Sequence, residues 1–279
     1  MNWIFTGAGN MASSLIGGLI NSGADAGSIW VIDPDDSACN RAQERFGVQT
    51  GTALETVLSS MPDTPVGVVL AVKPHIVEPV CRVIEQCVST RSLDAPLVVS
   101  VAAGVRASSM EQWLPEGSAL IRCMPNTPAL LGLGATALFA NERCSEAHKQ
   151  SVDQLLKTAG MTLWVEEEVA LDAVTALSGS GPAYFFYLIE HMAAAGTRLG
   201  LNEESARELA IETAFGAASM ARSREHIPAV LRENVTSKGG TTAAALQVFD
   251  DRDTPSVILE AMQAAHDRAA ELGDQLAPQ

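Results

Sequence analysis

Short apolar runs alternate with amphipathic stretches through the first half of the chain, and the alternation stops near residue 165. Trp3-Ile4-Phe5-Thr6 reads as a strand, and residues 10–22 follow with apolar positions at helical spacing. Ile29-Trp30-Val31-Ile32 predicts a second strand, ended by Asp33-Pro34. A polar helix is expected over 36–46 and a shorter one over 52–59. Val66 to Val72 is a continuous apolar run, as a strand buried on both faces requires. Leu97 to Val101 repeats that pattern, and Ala119 to Arg122 does so more weakly. Such alternation predicts an α/β doubly wound sheet with right-handed crossovers.

After Leu163-Trp164-Val165 the chain reads as successive helices, expected over 182–199, 203–222, 227–235, 243–249 and 254–273. Pro182 sits where a first-turn proline is tolerated, and Gly200 marks a helix stop. The pattern divides the chain into a sheet domain, 1–165, and an all-helical domain, 166–279. Ala193-Ala194-Ala195 and the stretch from Ala214 to Ala218 suit close packing of helices, and so much small and apolar surface is expected to meet a partner chain.

Charge narrows the classes of partner. Thirty-three acidic against eighteen basic side chains give a net charge of -15, a field that repels nucleic acid and anionic membranes. An anionic substrate must therefore be held by local backbone dipoles or single cations. The five cysteines form no Cys-x-x-Cys pair, which suits free thiols in a reducing compartment. The apolar residues 3–20 lack a basic leader and are interrupted by Gly7, Gly9 and Asn10, and no apolar run reaches membrane-spanning length. The protein is expected to be soluble and cytoplasmic, with no membrane, nucleic-acid or metal partner.

Chemistry enters with Gly7-Ala8-Gly9-Asn10-Met11-Ala12, which turns the first strand into the first helix. Gly7 permits the tight turn, Gly9 lets backbone approach a pyrophosphate, and Ala12 takes the third glycine's packing position. Free N–H groups of Asn10 and Met11 at the helix start would face the phosphates of a dinucleotide. Asp33 ends the second strand, where a carboxylate grips the adenosine ribose of NAD; a turn built from Asp-Pro-Asp-Asp is the equal alternative. NADH against NADPH stays open. Ala71-Val72-Lys73-Pro74 follows a buried strand at the same sheet edge, with Lys73 either facing cofactor or substrate or lying in a plain loop. In Arg122-Cys123-Met124-Pro125-Asn126-Thr127-Pro128 two prolines stiffen a loop whose Asn126 amide could meet a nicotinamide, or which is only a rigid turn. Ser178-Gly179-Ser180-Gly181-Pro182 reads first as a helix cap. Thr236-Ser237-Lys238-Gly239-Gly240-Thr241-Thr242 is either a threonine-capped helix start or an anion site for a substrate carboxylate.

Together these segments resemble pyrroline-5-carboxylate reductases over essentially the whole chain. The resemblance is carried by Phe5 to Ala12, Ala71 to Pro74, Val99 to Val105, Arg122 with Met124 to Pro128, and Ala176 to Tyr184. It implies a Rossmann-type domain, a helical domain intertwining two subunits, rings of such dimers, and NADPH or NADH as cofactor, with NADPH favoured. By the same resemblance Ser237, Gly239, Gly240 and Thr241 bind the substrate carboxylate, Thr242 meets the ring nitrogen and Glu225 lies near the ring. The family usually has a proline where this chain has Lys238. A β-hydroxyacid dehydrogenase, the nearest rival, is expected to carry a lysine on the helix after its glycine-rich interdomain segment, and residues 182–199 contain none. A nucleotide-responsive binding protein without turnover is the other rival.

Overall fold

The computed structural model describes residues 1–61, 65–91 and 94–277. Its strands are β1 (Asn2–Thr6), β2 (Ile29–Ile32), β3 (Gln49–Gly51), β4 (Val66–Leu70), β5 (Leu97–Ser100), β6 (Leu120–Met124), β7 (Gly134–Ala140) and β8 (Gly160–Trp164). They make one sheet in the order β3-β2-β1-β4-β5-β6-β7-β8. All neighbours run parallel except β6 and β7. The order reverses between β1 and β4, which makes the edge beyond their carboxyl ends the place for a ligand. Thr6 pairs with both Ile32 and Leu70, so the loops leaving β1, β2 and β4 start level with one another.

Alternation along the strands decides which face each side chain covers. Phe5, Val31, Val69, Val99 and Ile121 share one buried cluster with Leu15 and Ile16 of α1 (Asn10–Asn21) and Leu155 and Leu156 of α6 (Glu146–Lys157). Ile4, Ile32, Val68, Leu70, Val98 and Leu120 face the other way, against α3 (Leu54–Ser59), α4 (Pro74–Arg91) and α5 (Ala107–Trp113). Both faces are covered, as the near-continuous apolar runs demand. Helix ends follow local chemistry. Asp35 caps α2 (Asp36–Phe46) by accepting the Ser37 N–H, and Gly47 closes it at φ 71°. Ser145 and His148 form a capping box on α6.

The structure adds elements that the pattern alone does not predict. β3 is three residues long, and β7 is a run of small residues lying antiparallel to β6. The short helix starts at Leu54 rather than 52. The helix expected at 243–249 begins earlier, at Thr241, as α11 (Thr241–Asp251).

Two compact units emerge, Met1–Gly179 with Ala265–Gln279, and Ser180–Ala264. The boundary expected at 165/166 falls ahead of this division, because residues 166–179 are tied back to the sheet. Glu168 pairs with Arg122 of β6, and Asp172 of α7 (Ala170–Val174) pairs with Arg106 at 3.0 Å. Leu272 and Leu276, in and just after α12 (Thr254–Gln275), return to this unit and pack on Gly104.

The second unit is helical. In it α8 (Gly181–Arg198) and α9 (Glu203–Arg222) form a hairpin in which Gly196 lies against Ala206. Gly200, at φ 110°, turns the chain between them. α10 (Pro228–Asn234), α11 and the first half of α12 complete it. Among its described apolar side chains only Ala206 and Ala210 are buried, while Phe185, Phe186, Leu188, Phe215 and Leu259 are each more than half exposed. A patch of that kind marks an association surface. Among the described residues no helix is long and apolar enough to cross a membrane.

Candidate active site

The turn between β1 and α1 is built by two glycines with different tasks. Gly7 sits at φ 95°, and a Cβ there would lie 2.6 Å from the Ala71 carbonyl oxygen. Its N–H donates to the Ile32 carbonyl at 2.7 Å, so the ends of β2, β1 and β4 are drawn together at this point. Gly9 has ordinary extended backbone, and no atom lies within 4 Å of the place a Cβ would take. The first bond of α1 runs from the Ser13 N–H to the Gly9 carbonyl, and no side chain caps the helix. The N–H groups of Asn10, Met11 and Ala12 therefore have no helix carbonyl to reach. An open Gly9 in front of those donors fits a diphosphate.

Asp33 occupies the level of Gly7 on the next strand. Its Oδ2 accepts the Ala8 N–H at 2.9 Å and its Oδ1 accepts the Asp35 N–H at 2.9 Å. The carboxylate thus joins the glycine turn to the loop after β2, while capping of α2 falls to Asp35. Hydrogen bonds from Ser37 hold the Asp35 carboxyl below its usual range. Beside Asp33 lies a cavity of about 270 Å³ whose walls include Ile32, Pro34, Leu54, Val72, Pro79 and Val80. Thr52 and Ala53 also line it, and these are candidate site residues that sequence reasoning missed. The three-residue strand before them carries too little pattern to place that loop.

Ala71 closes on Gly7, Val72 lines the cavity, and Lys73 is exposed just ahead of Pro74, the first residue of α4. Asn126, at the end of β6, is committed within the chain. Its Oδ1 accepts the Ala135 N–H at 2.9 Å, and its Nδ2 donates to the Ser178 carbonyl at 3.0 Å. The Asn126 amide braces its own loop, which leaves the second Nδ2 hydrogen and one Oδ1 lone pair for a ligand. Its partner Ser178 lies in a π-helical turn, Thr175–Gly179, a form concentrated at functional sites. No side chain caps α8, so the reading of Ser178 to Pro182 as a helix cap gives way to this turn.

The helical unit carries the other predicted group. Glu225 is exposed in the bend after α9, next to Arg224 at φ 59°. Ser237 to Gly240 is a turn closed by the Gly240 N–H on the Ser237 carbonyl at 3.0 Å. Gly239 has φ 72°, and a Cβ at Gly240 would run into Ser237 Oγ. The positive φ thus requires a glycine at 239, while a side chain at 240 would force Ser237 Oγ to turn away. α11 then starts at Thr241 with no side-chain cap, and its first bond goes from the Ala244 N–H to the Gly240 carbonyl. The N–H groups of Thr241, Thr242 and Ala243 remain for a ligand. The half-buried Thr242 hydroxyl makes no hydrogen bond to another described residue.

Lys238 stands at the second position of this turn, and a positive φ at the third makes it type II, the form that favours proline there. Its N–H closes no backbone bond among the described residues. Lys238→Pro is therefore expected to stabilise the protein by about 0.4–1 kcal/mol, through a less disordered unfolded chain. Urea denaturation measures it, and a loss of stability would show that this turn excludes the proline geometry.

The thiols are not positioned for catalysis. Burial pushes Cys81 up to about 12 and raises Cys123 as well. Among the described residues no group of three acidic, histidine or cysteine side chains is placed to hold a metal.

Comparison with known proteins finds family matches at both ends of the chain. Residues 3–104 match the family model described as NADP oxidoreductase coenzyme F420-dependent, and 168–272 match pyrroline-5-carboxylate reductase dimerisation. The pyrroline-5-carboxylate reductase of Pseudomonas aeruginosa is 44% identical over 98% of this chain and 97% of its own. That of Pasteurella multocida is 40% identical over 96% of each. Among solved structures, a pyrroline-5-carboxylate reductase from Coxiella burnetii superposes with a TM-score of 0.89 at 36% identity, covering 100% of this chain and 99% of that one. The Plasmodium falciparum pyrroline carboxylate reductase with NADP bound gives 0.82 at 25% identity over 98% of both chains. The chain belongs to the pyrroline-5-carboxylate reductase family.

Proposed function

We propose that this chain reduces the cyclic imine 1-pyrroline-5-carboxylate to proline, the last step of proline biosynthesis, with NADPH or NADH as reductant. The observation that carries the reading is the match, at 44% identity over 98% of this chain, to the Pseudomonas aeruginosa reductase. When bound, the reduced nicotinamide supplies the hydride that the imine carbon takes up. The chain's own residues bind and orient. Backbone N–H groups behind Gly9, at Asn10 and Met11, hold the diphosphate, and Gly7 keeps that turn in place. Asp33 takes the adenosine ribose, and Ala71, Val72, Lys73 and Pro74 flank the cofactor's path. Asn126 acts as a positioning residue through its brace to Ser178.

In the helical unit the uncapped start of α11 is an anion site. Thr241 and Thr242 N–H groups, with the Ser237–Gly240 turn, hold the substrate carboxylate, which a chain of net charge -15 cannot attract by its overall field. The Thr242 hydroxyl orients the proton that the ring nitrogen gains as its double bond is reduced. A hydroxyl is a weak acid, so its task is alignment rather than acid catalysis. Glu225 stands near the ring. The exposed apolar helices pair with a second copy into an intertwined dimer, and dimers close into rings. Cysteines that form no disulfide among the described residues suit a cytoplasmic enzyme.

The test is nicotinamide absorbance with purified protein, 1-pyrroline-5-carboxylate and either cofactor. No oxidation with either overturns the reading. Thr242→Ala is expected to lower kcat by about tenfold to a hundredfold, with the thermal midpoint unchanged because the hydroxyl bonds no other described residue. Thr242→Ser should restore most of it, and unchanged kcat in the alanine variant removes Thr242 from the mechanism.

A further inference from the structure

We propose that the loop after β2 makes this reductase select NADH over NADPH, with Asp33 reading the free 2′-hydroxyl of the adenosine ribose. The inference rests on the reductase reading above. Asp33 is held by two backbone donors, the Ala8 and Asp35 N–H groups, each at 2.9 Å. Each carboxylate oxygen keeps a further lone pair, and the side chain is pinned at the mouth of the cavity beside the glycine turn. Apolar Ile32, Pro34, Val72 and Val80 give that cavity walls suited to a flat base. Its charged lining residues are Asp33 and Glu55, both acidic. Asp35 and Asp36 follow in the chain and are exposed.

A 2′-phosphate would meet the carboxylates of this acidic rim. Arg41, the first basic residue after the loop, is already engaged on the loop itself, beside Asp35. Its Nη1 donates to Ser37 Oγ at 2.9 Å, and its Nη2 lies 3.8 Å from Asp35 Oδ2. A ribose diol, by contrast, donates to a carboxylate that is already in place.

The experiment is equilibrium titration of the purified protein with NADH and with NADPH, followed by nicotinamide fluorescence. NADH is expected to bind about tenfold to a hundredfold more tightly, the worth of a charge-assisted hydrogen bond. Equal or tighter binding of NADPH overturns this proposal and leaves the reductase reading standing; binding of neither overturns the cofactor site with it. Asp33→Asn keeps an acceptor for the Ala8 N–H and removes the charge, so the NADH preference should shrink by about tenfold. Should that variant fail to fold, as circular dichroism would show, Asp36→Asn with Glu55→Gln is the second test. It is expected to tighten NADPH more than NADH. An unaltered NADH-to-NADPH ratio in whichever variant folds overturns the electrostatic account.

Discussion

Gly7→Ala is expected to weaken cofactor binding by about a hundredfold or more, since a misplacement of about one ångström at a binding constellation has effects of that size. An L side chain at φ 95° is strained by itself. The added Cβ would also lie 2.6 Å from the Ala71 carbonyl oxygen and 3.3 Å from Val72 Cγ1. The first of these is backbone just past β4, tied to β1 by the Ala71 N–H on the Thr6 carbonyl, and cannot swing away, so the turn must move and take the start of α1 with it. Strain and displacement together should cost about 2–4 kcal/mol of stability. Gly9→Ala supplies the contrast. Its backbone is extended and nothing lies within 4 Å of the new methyl, so unfolding free energy should stay unchanged while the methyl occupies the phosphates' approach. Fluorescence titration and urea denaturation of both variants read the two effects separately. Parent-like affinity in Gly7→Ala would mean the turn is not the cofactor's cradle.

Arg122→Met should be strongly destabilising in the sheet unit. Arg122 is 7% exposed in β6 and pairs with Glu168, whose Oε1 also accepts the Ala107 N–H at 2.6 Å. Removing the guanidinium leaves a largely buried carboxylate with one backbone donor. Breaking a buried pair by removing one partner costs about 3 kcal/mol or more, or a fall of about 8 °C in Tm for a chain of this size. Arg122→Met with Glu168→Leu should recover most of that loss, because no unpaired charge then stays behind. Calorimetry of the single and double variants decides it. A single-variant loss below about 1 kcal/mol would show that solvent screens the pair. The same pair ties residues 166–179 to the sheet, and with them the π-helical turn that Asn126 braces.

The elements that were legible in the sequence are those whose pattern is long relative to their environment. β1, β2, β4 and β5 are apolar at most positions because both faces of the sheet are covered, and α2, α8 and α9 carry clear stops or caps. β3 is half-exposed edge structure and leaves no apolar run to read. β7, Gly134-Ala135-Thr136-Ala137-Leu138-Phe139-Ala140, owes its strand to pairing with β6 and β8 rather than to its own small residues. Gly134 and Gly160 there sit too close for side chains, a constraint visible only once the two strands are paired.

The sequence by itself determined the glycine turn, the two-part organisation and the candidate groups at Gly7 to Met11 and Ser237 to Thr242, because steric freedom and helix-start chemistry are local properties. Partners across the chain were decided only by the tertiary structure. Asp33 resolves into a link between Ala8 and Asp35, and Asn126 into a brace between Ala135 and Ser178. A side chain's hydrogen-bonding capacity is written in its residue type, but which donors reach it depends on strand register, and register is a property of the whole sheet.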